Sequence, residues 1–76
     1  MQLLRWIFQR GNERLTCQVD QRPGDRTYTL SIVPDSNVAG GIAETFSTAW
    51  SAFWRHAMIA SELRRSGWTL AAYTAD

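Results

Sequence analysis

Between Leu3 and Val33 the chain alternates side-chain character with a period of two in three successive runs. Leu4, Trp6 and Phe8 interleave with Arg5, Ile7 and Gln9. Leu15, Cys17 and Val19 interleave with Arg14, Thr16, Gln18 and Asp20. Tyr28, Leu30 and Ile32 interleave with Thr27, Thr29 and Ser31. A period of two is the signature of a strand whose two faces meet different surroundings. A helix cannot use it, because residues two apart point to nearly opposite sides of a helix. The runs predict strands over Leu3–Gln9, Glu13–Gln21 and Thr27–Val33. Gly11-Asn12 between the first two suits a tight hairpin turn. Arg22-Pro23-Gly24-Asp25 between the second and third presets a turn, since proline fixes φ and glycine accepts the left-handed region. Pro34 cannot donate to a ladder and ends the third strand. Consecutive strands joined by such short turns form an antiparallel meander with one apolar face.

That face needs a cover, and the remaining sequence offers one. Asp35–Gly41 reads as an irregular segment. Gly41–Phe46 reads as a weak fourth strand, in which Glu44 shares the face of Ile42 and Phe46, as an inward charge does on an edge strand. Ser47 or Thr48 caps a helix that runs over Thr48–Ser66. Gly67 is placed for a left-handed helix ending, Arg64 and Arg65 meet the negative end of the helix dipole, and Trp68 packs back onto the helix. Thr69–Tyr73 is strand-like in composition and either pairs with a sheet edge or lies over it. The expected fold is a single α+β domain over residues 1–76. It is a three- to four-stranded antiparallel meander followed by one long C-terminal helix packed on one sheet face (β-β-β-(β)-α), with a possible short final strand.

Size makes the quality of that cover important. A domain of 76 residues buries only about 60% of the surface its unfolded chain exposes. Small domains of this kind add disulfides, a metal or a partner subunit. Cys17 is the only cysteine and His56 the only histidine, so an internal disulfide and a Cys/His metal site are both excluded. Four tryptophans, three phenylalanines and two tyrosines supply a large apolar area for so short a chain.

The helix carries more apolar surface than one sheet uses. With Phe53 at the centre of the sheet-facing side, Ala49, Trp50, Ala57 and Ala60 fall within about 60° of it, with His56 and Leu63 on a flank. Trp54, Met58 and Ile59 lie outside that stripe and are the candidate oligomer interface, with the dimer expected to be built on this helix, an exposed strand edge, or both. The chain is therefore expected to be a non-enzymatic interaction module that works as a homodimer, with a protein partner the sequence does not name.

No constellation in the sequence carries catalysis. His56 has no carboxylate or nucleophile at helical spacing and reads as a flank histidine, hydrogen-bonded at the sheet edge or solvated. Cys17 alternates with Leu15 and Val19, which predicts a buried, inert thiol. Gly40-Gly41 precedes a strand rather than a helix, unlike a phosphate-binding loop. No catalytic, cofactor-binding or metal residue is expected. The N-terminus lacks a basic stretch followed by an apolar core, and no apolar run is long enough for a bilayer. The reading is a cytoplasmic chain without a membrane partner.

The alternative lies on the outer face of the sheet. Arg5, Arg14, Thr16, Gln18 and Thr29 project there with Leu3, Ile7 and Val33 between them, and Tyr73 is the only aromatic that could join them. Such a face suits single-stranded nucleic acid. The net charge of +1 works against it, although all eight basic residues are arginine. The order of strands followed by a helix is similar to that of the positive cofactor 4 (PC4) and Whirly folds, which bind single-stranded DNA. Trp6-Ile7-Phe8-Gln9-Arg10-Gly11 at the start and Leu63-Arg64-Arg65-Ser66-Gly67-Trp68 at the end of the helix resemble short bacterial proteins of unknown function. Those have a Trp-rich first strand and a helix closing in Leu-x-x-x-Gly-Trp, and the resemblance implies no activity.

Overall fold

The computed structural model describes residues 1–75 and consists of one five-stranded antiparallel sheet with one α-helix against it. The strands are β1 (Gln2–Arg10), β2 (Glu13–Gln21), β3 (Tyr28–Pro34), β4 (Ile42–Phe46) and β5 (Thr69–Ala75). A turn of 3₁₀-helix, Val38–Gly40, lies between β3 and β4, and α1 (Ala49–Arg65) lies between β4 and β5. The spatial order is β4-β3-β2-β1-β5. The meander thus occupies four neighbouring positions, and the last strand returns to the free edge of β1.

The turns have the conformations their residues favour. Arg10 and Glu13 are the last pair of the β1–β2 ladder, so Gly11 and Asn12 form a two-residue loop. Gly11 has φ of 60°, and among the described residues no non-glycine has positive φ, which is the II′ pattern that matches strand twist. At the next corner the Asp25 amide donates to the Arg22 carbonyl at 3.1 Å. Gly24 there has φ of 76°, as the third residue of a type II turn requires.

Register places the alternating residues as the period predicts. Trp6 pairs with Cys17 and Cys17 with Ile32; Phe8 pairs with Leu15, and Val19 with Leu30. Phe8, Leu15, Cys17, Val19 and Leu30 are buried and meet Ala52, Ile59 and Ala60 of α1 in one core. Leu3 departs from the expected outward position. It sits at a register shift between Gln2 and Leu4, and the extra residue lets it pack against the core. In β4, Glu44 does point inward, opposite Leu30. Its carboxylate meets the Arg55 guanidinium at 3.3 Å, reaching across from the helix.

The helix ends follow from their caps. The Thr48 hydroxyl accepts from the Ser51 amide at 3.1 Å. At the other end the Gly67 amide donates to the Arg64 carbonyl and the Trp68 amide to the Leu63 carbonyl. With φ of 91° at Gly67, this is the Schellman arrangement. It turns the chain directly into β5.

The rotation of α1 about its own axis differs from the expectation. Ala52, His56, Ile59 and Ala60 face the sheet, whereas Phe53 is 38% exposed. Relative to the Phe53-centred stripe, the helix is turned by roughly 70°. Small Ala52 and Ala60 let the helix axis approach the sheet, which a Trp50–Phe53 face would hold away. Among the described residues no helix is long and apolar enough to cross a membrane.

Candidate functional site

Alternation and hairpin register bring Arg5, Arg14, Thr16, Gln18 and Thr29 onto one face of the sheet, the face without the helix. Arg5 is beside Gln18, which is beside Ser31; Gln9 is beside Arg14, and Asp20 beside Thr29. The Gln18 side-chain amide is committed to Asp20, donating to its two carboxylate oxygens at 2.9 and 2.8 Å. Tyr73 does not join this face. It pairs with Trp6, and a β-bulge in the β1–β5 ladder, where Phe8 faces Leu70 but Ile7 faces Ala72, carries it to the helix side. The outer face therefore has hydroxyls, amides and two arginines, and no aromatic ring among the described residues.

On the inner face the helix packs on β2, β3 and β4. Its approach to β1 runs through His56, whose ring meets that of Trp6 edge-on at 4.9 Å. His56 is 2% exposed, not the flank residue expected. Its Nε2 lies 3.3 Å from the Cys17 carbonyl oxygen, to which it donates as the neutral imidazole. Burial holds its pKa below the ordinary 6.5, and the carbonyl only partly offsets that. Cys17 lies fully buried beside it. Desolvation pushes the thiol up to about 12, slightly opposed by Arg55. A thiol held that high is not a nucleophile at neutral pH.

Three of the residues proposed from sequence as an interface divide. Trp54 and Met58 are 56% and 43% exposed, but Ile59 is 5% exposed and belongs to the core. Ile59 is one residue past Met58, and a helix turns about 100° per residue, enough to move a side chain from solvent to sheet. Trp50, 74% exposed, was expected against the sheet and instead stacks on Trp54, with ring centroids 6.1 Å apart and planes 23° from parallel. Phe53 and Ala57 border them, also exposed. Across the open half of the sheet Tyr73 is 68% exposed, 6.5 Å from Trp6. The two aromatic pairs lie on two surfaces that meet in a corner, with the Arg64 guanidinium 5.7 Å from the Trp6 ring centre. The flank of α1 is one wall and the inner face of β1 and β5 is the other.

A groove of about 420 Å³ lies on the opposite side of α1, toward β4. Its apolar lining includes Ile32, Ile42, Ile59 and Leu63. Its arginines are occupied. Arg55 is paired with Glu44. Arg10 donates to the Ser66 carbonyl at 3.1 Å and lies 4.6 Å from the Trp68 ring centre. Among the described residues no three His, Cys, Asp or Glu side chains converge as metal ligands do.

Comparison with known proteins adds no assignment: no family model matches the chain, and neither a curated protein nor a solved structure matches it.

Proposed function

We propose that this chain is a small non-enzymatic protein-interaction module that works as a homodimer. The observation that carries the reading is the Trp50–Trp54 stack, two large rings exposed side by side on a helix of a very small domain. Aromatic side chains with low conformational freedom are the usual anchors of protein interfaces. Leaving them in water forgoes their burial energy in a fold whose core is small. Trp54 and Met58, spaced i and i+4, and Trp50, one turn earlier, form the contact stripe. Sedimentation velocity at micromolar concentration tests the reading. A species of twice 8.6 kDa is expected, and a single species at 8.6 kDa throughout refutes it.

A second reading, binding of single-stranded nucleic acid, rests on the outer face, where Arg5, Arg14, Thr16, Gln18 and Thr29 share one uncovered surface. Asp20 in the same patch and the lack of a stacking ring among the described residues weigh against it. Binding that falls steeply between low and moderate salt would support it, and no binding at low salt would remove it.

A further inference from the structure

Five strands spaced about 4.8 Å apart place the outer strand axes about 19 Å from each other. A helix with its side chains is about 10 Å across. One helix therefore cannot cover this sheet, and α1 sits over the β2–β3–β4 side. Phe8 of β1 is buried with the helix, so the less covered part of the inner face is β5 together with the Trp6 end of β1. Its floor has Trp6 partly exposed, with the Arg64 guanidinium over its ring, and Tyr73 68% exposed.

The chain contains a surface that fits this vacancy. On α1, the residues away from the sheet are apolar over the N-terminal turns: Trp50, Phe53, Trp54, Ala57 and Met58. None is charged. Arg55, within this stretch, points instead toward β4 and Glu44, and His56 points into the core. The exposed Arg64, with its guanidinium 5.7 Å from the Trp6 ring centre, is a charge that each copy brings to the corner.

We propose that this less covered part of the inner face is filled by α1 of a second copy. Two corners meet about a two-fold axis. Each helix then lies between its own sheet and the sheet of its partner, and the two helices pack side by side through Phe53 and Ala57. Trp54 and Met58 of one copy rest on Tyr73 and Trp6 of the other. The result is a closed layered dimer, sheet, two helices, sheet, with both outer sheet faces still in solvent. The area agrees with this. The exposed parts of Trp50, Phe53, Trp54, Met58 and Tyr73 amount to roughly 600 Å² per copy, from the sizes of those side chains. A standard stable interface takes about 800 Å² per partner, so these five side chains alone supply about three quarters of it. The arrangement also accounts for a helix that is apolar over most of its circumference in its first half, since it is buried twice.

This inference rests on the homodimer reading and names its geometry, and the test separates the two. Trp54→Glu and Tyr73→Glu are compared with the unaltered chain by sedimentation equilibrium. Both positions are more than half exposed in the single chain, and near-ultraviolet circular dichroism checks that each variant keeps its tertiary packing. The layered dimer requires that both substitutions raise the dimer dissociation constant, by at least about 30-fold each, as for central interface residues. A dimer broken by Trp54→Glu but not by Tyr73→Glu means that the helices meet without entering the vacancy. A dimer broken only by Tyr73→Glu means pairing along the β5 edge. A dimer that resists both uses another surface. Each of these three results overturns the layered arrangement and leaves the homodimer reading standing, whereas an unaltered chain that stays monomeric overturns both. Acrylamide quenching of tryptophan emission on the unaltered chain gives an independent check. Quenching should weaken as concentration rises through the dissociation constant, and concentration-independent quenching counts against burial of Trp50 and Trp54.

Discussion

At the scale of single residues the core centre is a polar contact, the His56 imidazole on the Cys17 carbonyl, enclosed by Trp6 and the helix. This makes stability depend on pH. The folded state lowers the His56 pKa below its ordinary value of 6.5, so the unfolded chain binds more protons between those two values. Stability from neutral His56 is complete above about pH 6.5 and falls as pH drops through 6.5 toward the lowered value. Urea unfolding at pH 7.5 and pH 5.5 should show this loss, and His56→Leu should flatten the dependence in that window while lowering stability at the higher pH. Asp25, held below its ordinary range mainly by hydrogen bonds from Thr27, acts only below about pH 4 and does not overlap. The neighbouring thiol yields a second expectation. With its pKa near 12 and no exposure, Cys17 should resist thiol reagents at pH 8 and react promptly once denaturant unfolds the chain.

The elements of the fold are held by ends as much as by faces. The Thr48 cap and the Gly67 ending set where α1 begins and where β5 takes over. Thr48→Ala should cost about 1 kcal/mol by removing the acceptor for the Ser51 amide. Gly67→Ala places a Cβ at φ of 91°, and the strain should cost about 1 kcal/mol or more. The face of the helix produces a sharper contrast between adjacent positions. Ile59→Ala opens a hole beneath the helix and should cost about 2–4 kcal/mol. Met58→Ala, in dilute solution where the chain is monomeric, should change stability by less than about 0.5 kcal/mol. Chemical denaturation of the two variants side by side measures which face of α1 lies on the sheet. Reading the sequence alone located both ends of this helix, because caps are local and depend on one or two residue types. It misjudged the rotation, because apolar residues occur at nearly every azimuth from Ala49 to Ala60 and several stripes compete.

For the whole molecule the deciding quantity is the mismatch between a five-stranded sheet and its single helix. A monomer keeps Trp50, Trp54 and Tyr73 in water and relies on a core of eight buried apolar residues among those described. A dimer adds the corner to that core, so folding and association become linked by mass action. The melting temperature should therefore rise with protein concentration, by roughly 5 °C or more over a hundredfold range for a domain of this size. Calorimetry or circular dichroism at several concentrations measures it. A melting temperature independent of concentration would place the corner outside the folding equilibrium. In the layered dimer the outer faces carrying Arg5, Arg14 and Thr16 point away from each other, which leaves them available for further partners on both sides.

The sheet meander and its apolar face were determined by the sequence, since a period of two leaves only one way to divide side chains between faces, and Gly11 and Gly24 are read directly as turns. Helix limits and the inward Glu44 were legible for the same reason of locality. The tertiary structure decided what no local pattern contains. It placed β5 beside β1, which depends on which edge the returning chain can reach. It turned Tyr73 inward through a bulge that shifts register by one residue. It set the helix on Ala52, His56, Ile59 and Ala60, because the close approach allowed by alanine outweighs the larger but bulkier surface of Trp50 and Phe53. Those aromatic rings were left outside, and they are the features from which an interaction surface can be argued.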